Sequence, residues 1–428
     1  MSVPDNGDLV PSLLGASGIL LDGRVVRNRG VGVVIERGRI TGLTGIADSS
    51  GAEPPVGWVH EYAGATLLPG LIDAHTHICL AHGEDLTRVL DEELLEASTE
   101  IGRTAAAAIL AAGVTTARDL GCRGQSAQRV REDVGDATGP ALVVSGRPVT
   151  ASGGHFAAFG LTVKGAAEAR RAVDQLVAEG SDLVKVILTG GTLTPGSAIG
   201  IPQFDLEEVR ALTDRAHHHG LRVAAHAHGT AGIELAIAAR VDTIEHCSWL
   251  DRVGNPGPVP GPLVEAIAAQ DQVVVIAGPI PSGLVDTEAD LGRSTDAPDP
   301  GRVASVLRAW RNGAQLRRMG VRIALGSDSL FGQFSDSRDL IYRAEAMVAT
   351  GAWDASEVLQ LVTEGGAAAL GKTGEVGCLG VGATADLLVV EGDPSVDTTA
   401  LRRVLAVYRA GRLVSGSPGT TRRIEGLS

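Results

Sequence analysis

Aromatic side chains make up only 3% of this 428-residue chain, and cysteine occurs four times. Cys79, Cys122, Cys247 and Cys378 lie far apart and form no Cys-x-x-Cys. That spacing indicates neither a disulfide framework nor a thiolate zinc site. No uninterrupted apolar run is long enough to cross a bilayer. The first residues, with Pro4, Asp5 and Asp8, lack a basic stretch followed by an apolar one, so no secretory signal is expected. Positive charge is also in deficit. Lys and Arg total 37 against 51 Asp and Glu, a formal charge of −14. Such a surface argues against nucleic acid and anionic membranes as partners. The expectation is a cytoplasmic globular protein acting on a small molecule. Its 44% hydrophobic content suits a packed core.

The two ends of the chain read as short strands broken by turns. Residues 18–23 and 32–40 suggest hairpins, and 385–390, 404–408 and 412–414 repeat the style near the C-terminus. The middle alternates differently. Apolar strand-like runs recur at 67–74, 114–119, 141–146, 183–188, 222–227, 241–246, 272–277 and 321–326. Helical stretches such as 166–180 and 207–220 lie between most of them. Eight strands alternating with helices predict an α/β protein, a (β/α)8 TIM barrel whose site gathers at the strands' C-terminal ends. No Gly-x-Gly-x-x-Gly follows the first of them, against an open dinucleotide-binding sheet. The predicted division is 1–66 and 371–428 in one small β-domain, with the barrel over 67–370.

The strand ends carry the chemistry. The first run ends in His75-Thr76-His77, and side chains two apart on a strand point the same way. Two converging imidazoles suit a borderline-soft divalent metal. The fourth run holds Lys185 among apolar residues, the fifth ends in His226-Ala227-His228, the sixth in Glu245-His246, and the eighth in Ser327-Asp328. A buried lysine loses its proton more readily. The neutral amine can take up carbon dioxide as a carbamate, an anionic group able to bridge two metals. Asp328 could then accept a proton from water and pass it to a leaving amine.

The run from Pro69 to His77, Gly113-Val114-Thr115-Thr116, Ser152-Gly153-Gly154-His155, Val184-Lys185-Val186, His226-Ala227-His228, Ile244-Glu245-His246 and Gly326-Ser327-Asp328 occur in that order. So do Gly382-Ala383-Thr384-Ala385-Asp386-Leu387 and Gly392-Asp393-Pro394. In this the chain resembles the amidohydrolase superfamily, in its imidazolonepropionase-like and Xaa-Pro dipeptidase-like branch, over nearly its whole length. The resemblance implies a distorted barrel, a β-sandwich built from both termini and a site for two divalent metal ions. It implies that His75, His77 and Asp328 hold one ion, His226 and His246 the other, and a carboxylated Lys185 bridges them. Zinc is favoured, with manganese, iron or cobalt also compatible. His226 aligns with the ligand position. His228 would act beside it or on substrate, and His155 would contact a substrate carbonyl or carboxylate. A homo-oligomer is implied as well.

The activity implied is hydrolysis of an amide, in an N-acyl amino acid or dipeptide-like substrate, by a metal-bridging hydroxide. An alternative keeps the site but acts on a cyclic amide, carbamate or lactone, or closes such a ring. A second alternative is a non-catalytic binding protein, whose mark would be a lost ligand. Where dipeptidase-like relatives tend to have Gly after the strand-six histidine, this chain has Cys247-Ser248-Trp249, and Phe156 to Gly160 follow the Gly-Gly-His turn. Phe156, Phe159, Phe204, Phe331 and Phe334 all follow predicted strands three, four and eight, and Trp249 follows strand six. They would either pack long loops onto the barrel or wall an apolar pocket. Phe156, Phe331 and Trp249 are candidate substrate contacts. Residues 278–301, rich in Pro, Gly, Ser and Asp, would form a lid, a passive insertion or an oligomer contact. His217-His218-His219 suits a helix C-terminus. His60 and His82 receive no role. Asp73 is expected to fix a turn or a histidine.

Overall fold

The computed structural model describes residues 13–424, apart from 28–30, 46–56, 82, 87, 89, 195, 279, 281–298 and 332–336. The lid expectation and Phe334 therefore fall largely or wholly outside the described residues, as does His82.

Eight βα units run through the middle of the chain. Their strands are β1 (Leu71–Ala81), β2 (Val114–Asp119), β3 (Ala141–Val144), β4 (Leu183–Ile187), β5 (Arg222–Gly229), β6 (Thr243–Leu250), β7 (Val273–Ile276) and β8 (Arg322–Leu325). The helices that follow them are α1 (Glu92–Ala111), α2 (Ser126–Thr138), α3 (Ala166–Ala178), α4 (Leu206–His218), α5 (Thr230–Ala238), α6 (Gly261–Ala269), α7 (Pro300–Arg318) and α8 (Asp339–Ala349). The strands are largely buried, as parallel strands covered on both faces must be. Helix starts follow local chemistry. Asp205 accepts from the Glu208 amide while Glu208 caps the Asp205 amide, so α4 begins where the sequence supplies a capping box.

The barrel is distorted at two seams. The third strand is split: Ala141–Val144 pairs with β2, whereas Val149 pairs with β4. The closing seam is made after β8. The Asp328 amide donates to His75 O (2.7 Å) and the His77 amide to Ser329 O (3.1 Å), and Leu330–Phe331 continue the pairing with β1. Inside the barrel, Ile72, Ala74, Val273, Val275 and Ala324 pack on Ala367 to Leu370 of a short helix, which forms an apolar floor.

The second body is one curled nine-stranded sheet formed by both ends of the chain. Its central strand, Gly57–Pro69, pairs in parallel with Leu13–Leu21 and antiparallel with Leu387–Glu391 and Thr420–Ile424. Two-residue turns at Asp22-Gly23, Arg37-Gly38 and Ala410-Gly411, all with positive φ, close its hairpins.

One expectation is corrected here. Residues 67–74 are not a single barrel strand. Leu67, Leu68 and Pro69 pair with Val389, Leu388 and Leu387, so the outer sheet extends past residue 66 to Pro69. The barrel strand begins at Leu71. The chain changes sheets at Gly70, where an added Cβ would lie 2.0 Å from Thr115 Oγ1. Only glycine permits that approach.

Candidate metal centre

Strand alternation accounts for most of the site. Lys185 pairs with Ala224, and His226 and His228 follow Ala224 at two-residue steps, so they share one face. His226 pairs with Glu245, which places Glu245 on that face too. On a regular strand His246 would then point away. It does not, because His246 (φ 67°), Cys247 (φ 48°) and Trp249 (φ 55°) adopt left-handed backbone. The bulge brings the His246 ring to 4.7 Å from that of His226 and 5.1 Å from that of His75. Asp328 (φ 53°) and Phe156 (φ 63°) are turned in the same way. Such backbone costs about 1–3 kcal/mol per residue and concentrates at functional sites.

Two groups of ligand atoms result. The first is His75, His77 and Asp328; the second is His226, His228 and His246. Within each, the ligand atoms lie within 4.8 Å of one another. Asp328 Oδ1 is 3.3 Å from His75 Nε2 and 3.4 Å from His77 Nε2. Lys185 Nζ is 3.5 Å from His75 Nε2 and wholly buried. The donor set fits divalent metal ions: neutral imidazoles, one carboxylate and an amine, closely grouped.

The hydrogen bonds decide which ring nitrogen is free. Backbone carbonyls only accept, so the nitrogen facing one carries the proton. His77 Nδ1 faces Gly121 O (2.9 Å), His246 Nδ1 faces Ala277 O (3.2 Å) and His226 Nε2 faces Gly190 O (3.0 Å). His75 Nδ1 faces the Glu245 carboxylate at 2.8 Å. The lone pairs left for a ligand are Nε2 of His75, His77 and His246, and Nδ1 of His226. His228 Nδ1 and His155 Nδ1 instead meet hydroxyls, Ser248 Oγ and Thr194 Oγ1, both at 2.9 Å. Burial, the largest influence, lowers the pKa of His75, His226, His228 and His246 and pushes His155 down to about 3, so these rings are neutral at pH 7. Burial also brings Lys185 down to about 8, against the pull of Glu245 and Asp328. For Asp328, burial pushes the carboxyl up, and positive charge on His75, His77 and His246 would outweigh it and hold the group below the usual range.

Several residues at this site have no role in the sequence reading. Glu245 is wholly buried and accepts from His75, from Arg118 Nη2 (2.9 Å) and from Thr243 Oγ1 (2.5 Å). Asp119 accepts from the Ile78 and Gly121 amides, which fixes the carbonyl that orients His77. The available signal was a charged residue inside a buried strand, Arg118 and Asp119 in β2 and Glu245 in β6, the same signal that marks Lys185. Asp73 accepts from the Ser327 amide (2.9 Å), Ser327 Oγ (2.6 Å) and the His75 amide (3.2 Å), and so ties the Asp328 turn to β1.

The aromatic candidates separate. Phe156 stacks on His155 at 4.0 Å and meets His77 edge-on at 5.6 Å, with Phe159, Leu80 and Ile187 behind it. Trp249, with φ 55°, is 0% exposed and packs in the main core. Phe331, paired to β1 at Ala81, is likewise buried in that core. Away from the site, His217 pairs with Asp242 and His219 with Asp174. His60 Nδ1 meets Tyr408 OH in the outer sheet. No described helix is long and apolar enough to cross a membrane.

Comparison with known proteins gives a consistent result. The family model described as "Amidohydrolase family" matches residues 66–414. Ochratoxinase of Aspergillus niger is 26% identical over 386 residues, covering 82% of this chain and 76% of that protein. A prolidase structure complexed with N-methylphosphonate-L-proline is 25% identical with a TM-score of 0.75, covering 95% of this chain and 99% of that one. The crystal structure of A. niger ochratoxinase, 22% identical, shares the fold with a TM-score of 0.75 over 95% of each chain.

Proposed function

This chain belongs to the amidohydrolase family and is a hydrolase acting on C–N bonds, and on that premise we propose that it cleaves the amide of an N-acyl amino acid or dipeptide-like substrate at a site for two divalent metal ions. The observation that carries the reading is the meeting of two ligand groups around one buried lysine. His75, His77 and Asp328 would hold one ion and His226 with His246 the other, with carboxylated Lys185 between them. His226 is preferred to His228 because its Nε2 proton is committed to Gly190 O, which leaves Nδ1 as a lone pair. When bound, the ions supply Lewis acidity: they activate water and polarise the scissile carbonyl.

The chain's own residues do the rest. Asp328, ionised and next to both His75 and His77, accepts the proton of the attacking water on its carboxylate and returns it to the leaving nitrogen. His228 and His155, neutral and held by hydroxyls, present a ring nitrogen to the substrate's carbonyl or carboxylate. Phe156 and the apolar residues behind it keep water from the His77 side. The A. niger relative is named for ochratoxin, and prolidases for dipeptides ending in proline; both are amide cleavages, which supports the bond class.

The test is a panel of N-acyl amino acids, Xaa-Pro dipeptides, cyclic amides and ochratoxin, run on metal-loaded protein beside Asp328→Asn. Turnover on a linear amide should fall by about 10²–10⁴-fold in the variant. Equal rates in both proteins would remove Asp328 from the chemistry, and turnover confined to cyclic amides would favour a ring-opening enzyme.

A further inference from the structure

Of the four histidines with a nitrogen free for a metal, three are oriented by backbone carbonyls. His75 alone is oriented by a charged side chain, Glu245. That carboxylate sits beneath the ligand groups and above the apolar floor, with no exposed surface. It is held from the other side by Arg118, 2% exposed, whose guanidinium also donates to Ala74 O (2.7 Å), Thr243 Oγ1 (3.1 Å) and Ala369 O (3.3 Å). Arg118 thus binds β1, β6 and the floor helix to one point. A buried ion pair of this kind is weak evidence for stability, since desolvating both charges offsets their attraction. Stability alone therefore does not account for this pair.

The donor count gives the pair a role. Glu245 receives an N–H on each oxygen, from Arg118 on Oε1 and from His75 on Oε2. Only a carboxylate accepts on both atoms; an amide accepts on one and donates on the other. The arrangement therefore forces the proton of His75 onto Nδ1 and directs the Nε2 lone pair toward Asp328 and Lys185. A carboxylate behind a metal-binding histidine also raises the ring's basicity as a ligand.

We infer that Glu245, locked by Arg118, is a positioning residue that holds His75 in the Nδ1–H tautomer and so sets the affinity of the metal position built from His75, His77 and Asp328. The inference rests on the two-metal reading above. Thr243, Arg118 and Glu245 touch no substrate in this account, and their effect passes through His75.

The experiment has two readouts. ¹⁵N spectra of the metal-free protein, with His75 assigned by its loss in His75→Ala, should show the Nδ1–H tautomer in the wild type. In Glu245→Gln, whose amide keeps its oxygen on Arg118 and turns its NH2 to the ring, the proton should move to Nε2. Zinc titration against a competing chelator should then show one of two sites weakened by about 10–100-fold. Because Glu245→Gln leaves Arg118 buried without its anion, the double variant Arg118→Met/Glu245→Met is made beside it. Replacing both partners by apolar side chains of similar length leaves no buried charge uncompensated, and the same metal position should weaken. An Nε2–H tautomer in the wild type, or wild-type zinc affinity at both sites in either variant, overturns the inference. A wild-type chain that takes up no metal at all would overturn the two-metal reading instead, and the tautomer spectra would still decide whether Glu245 sets the ring.

Discussion

At the scale of single residues, the site is a problem of proton placement. Each imidazole needs one nitrogen protonated toward the protein and one bare toward the centre, and each finds an acceptor that enforces this. Lys185 presents the same problem with a larger charge. The chain has three lysines, Lys164, Lys185 and Lys372, and only Lys185 lies in the barrel interior. Its pKa falls from 10.5 to about 8 on folding, chiefly through burial. Below pH 8 both the folded and unfolded chains carry the ammonium, and the folded state bears its burial. Between pH 8 and 10.5 the folded chain has released the proton while the unfolded chain still binds it, so this residue's contribution to stability rises with pH. In metal-free protein and carbon dioxide-free buffer, wild type should gain about 3 kcal/mol over that window relative to Lys185→Met. Urea unfolding of both proteins from pH 7.5 to 10.5 measures it, and parallel curves would contradict it.

At the scale of elements, the decisive contact is the seam between the end of β8 and β1. Alternation alone would not bring Asp328 to two histidines on the first strand. The Asp328 amide on His75 O, Asp73 on Ser327 and Arg343 on Ser327 O together hold the turn. The approach depends on Gly326. A Cβ there would lie 2.4 Å from His75 Cβ and 2.7 Å from its amide nitrogen, atoms that have no room to yield. Gly326→Ala should push β1 and the strand-eight turn apart. The expected cost is about 1–3 kcal/mol of stability, with weaker binding at the His75, His77 and Asp328 position. Calorimetry and zinc titration read the two effects, and an unchanged midpoint with unchanged metal affinity would show that the seam is slack.

At the scale of the molecule, the barrel carries the site and the outer sheet ties its ends. The strand Gly57–Pro69 leads directly into β1 and takes pairs from both the N-terminal and C-terminal segments. Removing the chain beyond Gly380 would delete Leu387–Glu391 and Thr420–Ile424 together and strip the antiparallel partners of that strand. Buried Leu67 and Leu68, at 0% exposure, would be uncovered at the point where the site begins. The truncated chain should show no cooperative thermal transition and should elute as aggregate on size exclusion. A monodisperse, metal-binding truncation would show that the barrel folds alone.

Much of this protein is legible in its sequence. Apolar runs at regular spacing, helical periods between them and His, Lys or Asp at their ends give the barrel and the candidate ligands, because strand position and side-chain direction are local consequences of the residues. The resemblance in motif order implies which of those residues would bind. What the sequence could not give depends on partners distant along the chain. Glu245 and His75 lie 170 positions apart, and their hydrogen bond decides a tautomer that neither segment specifies. His246 and Trp249 follow a strand that alternation alone would orient differently; the left-handed backbone at the β6 end turns one into the site and the other into the core. Leu67 to Pro69 read as barrel until their pairing with residues 387–389 claims them for the outer sheet. The sequence by itself determined the elements and the chemical inventory, since both follow from local pattern. The tertiary structure decided protonation, side-chain direction at the bulges and the point where one sheet hands over to the other, because each is set by contacts that form only when the barrel closes.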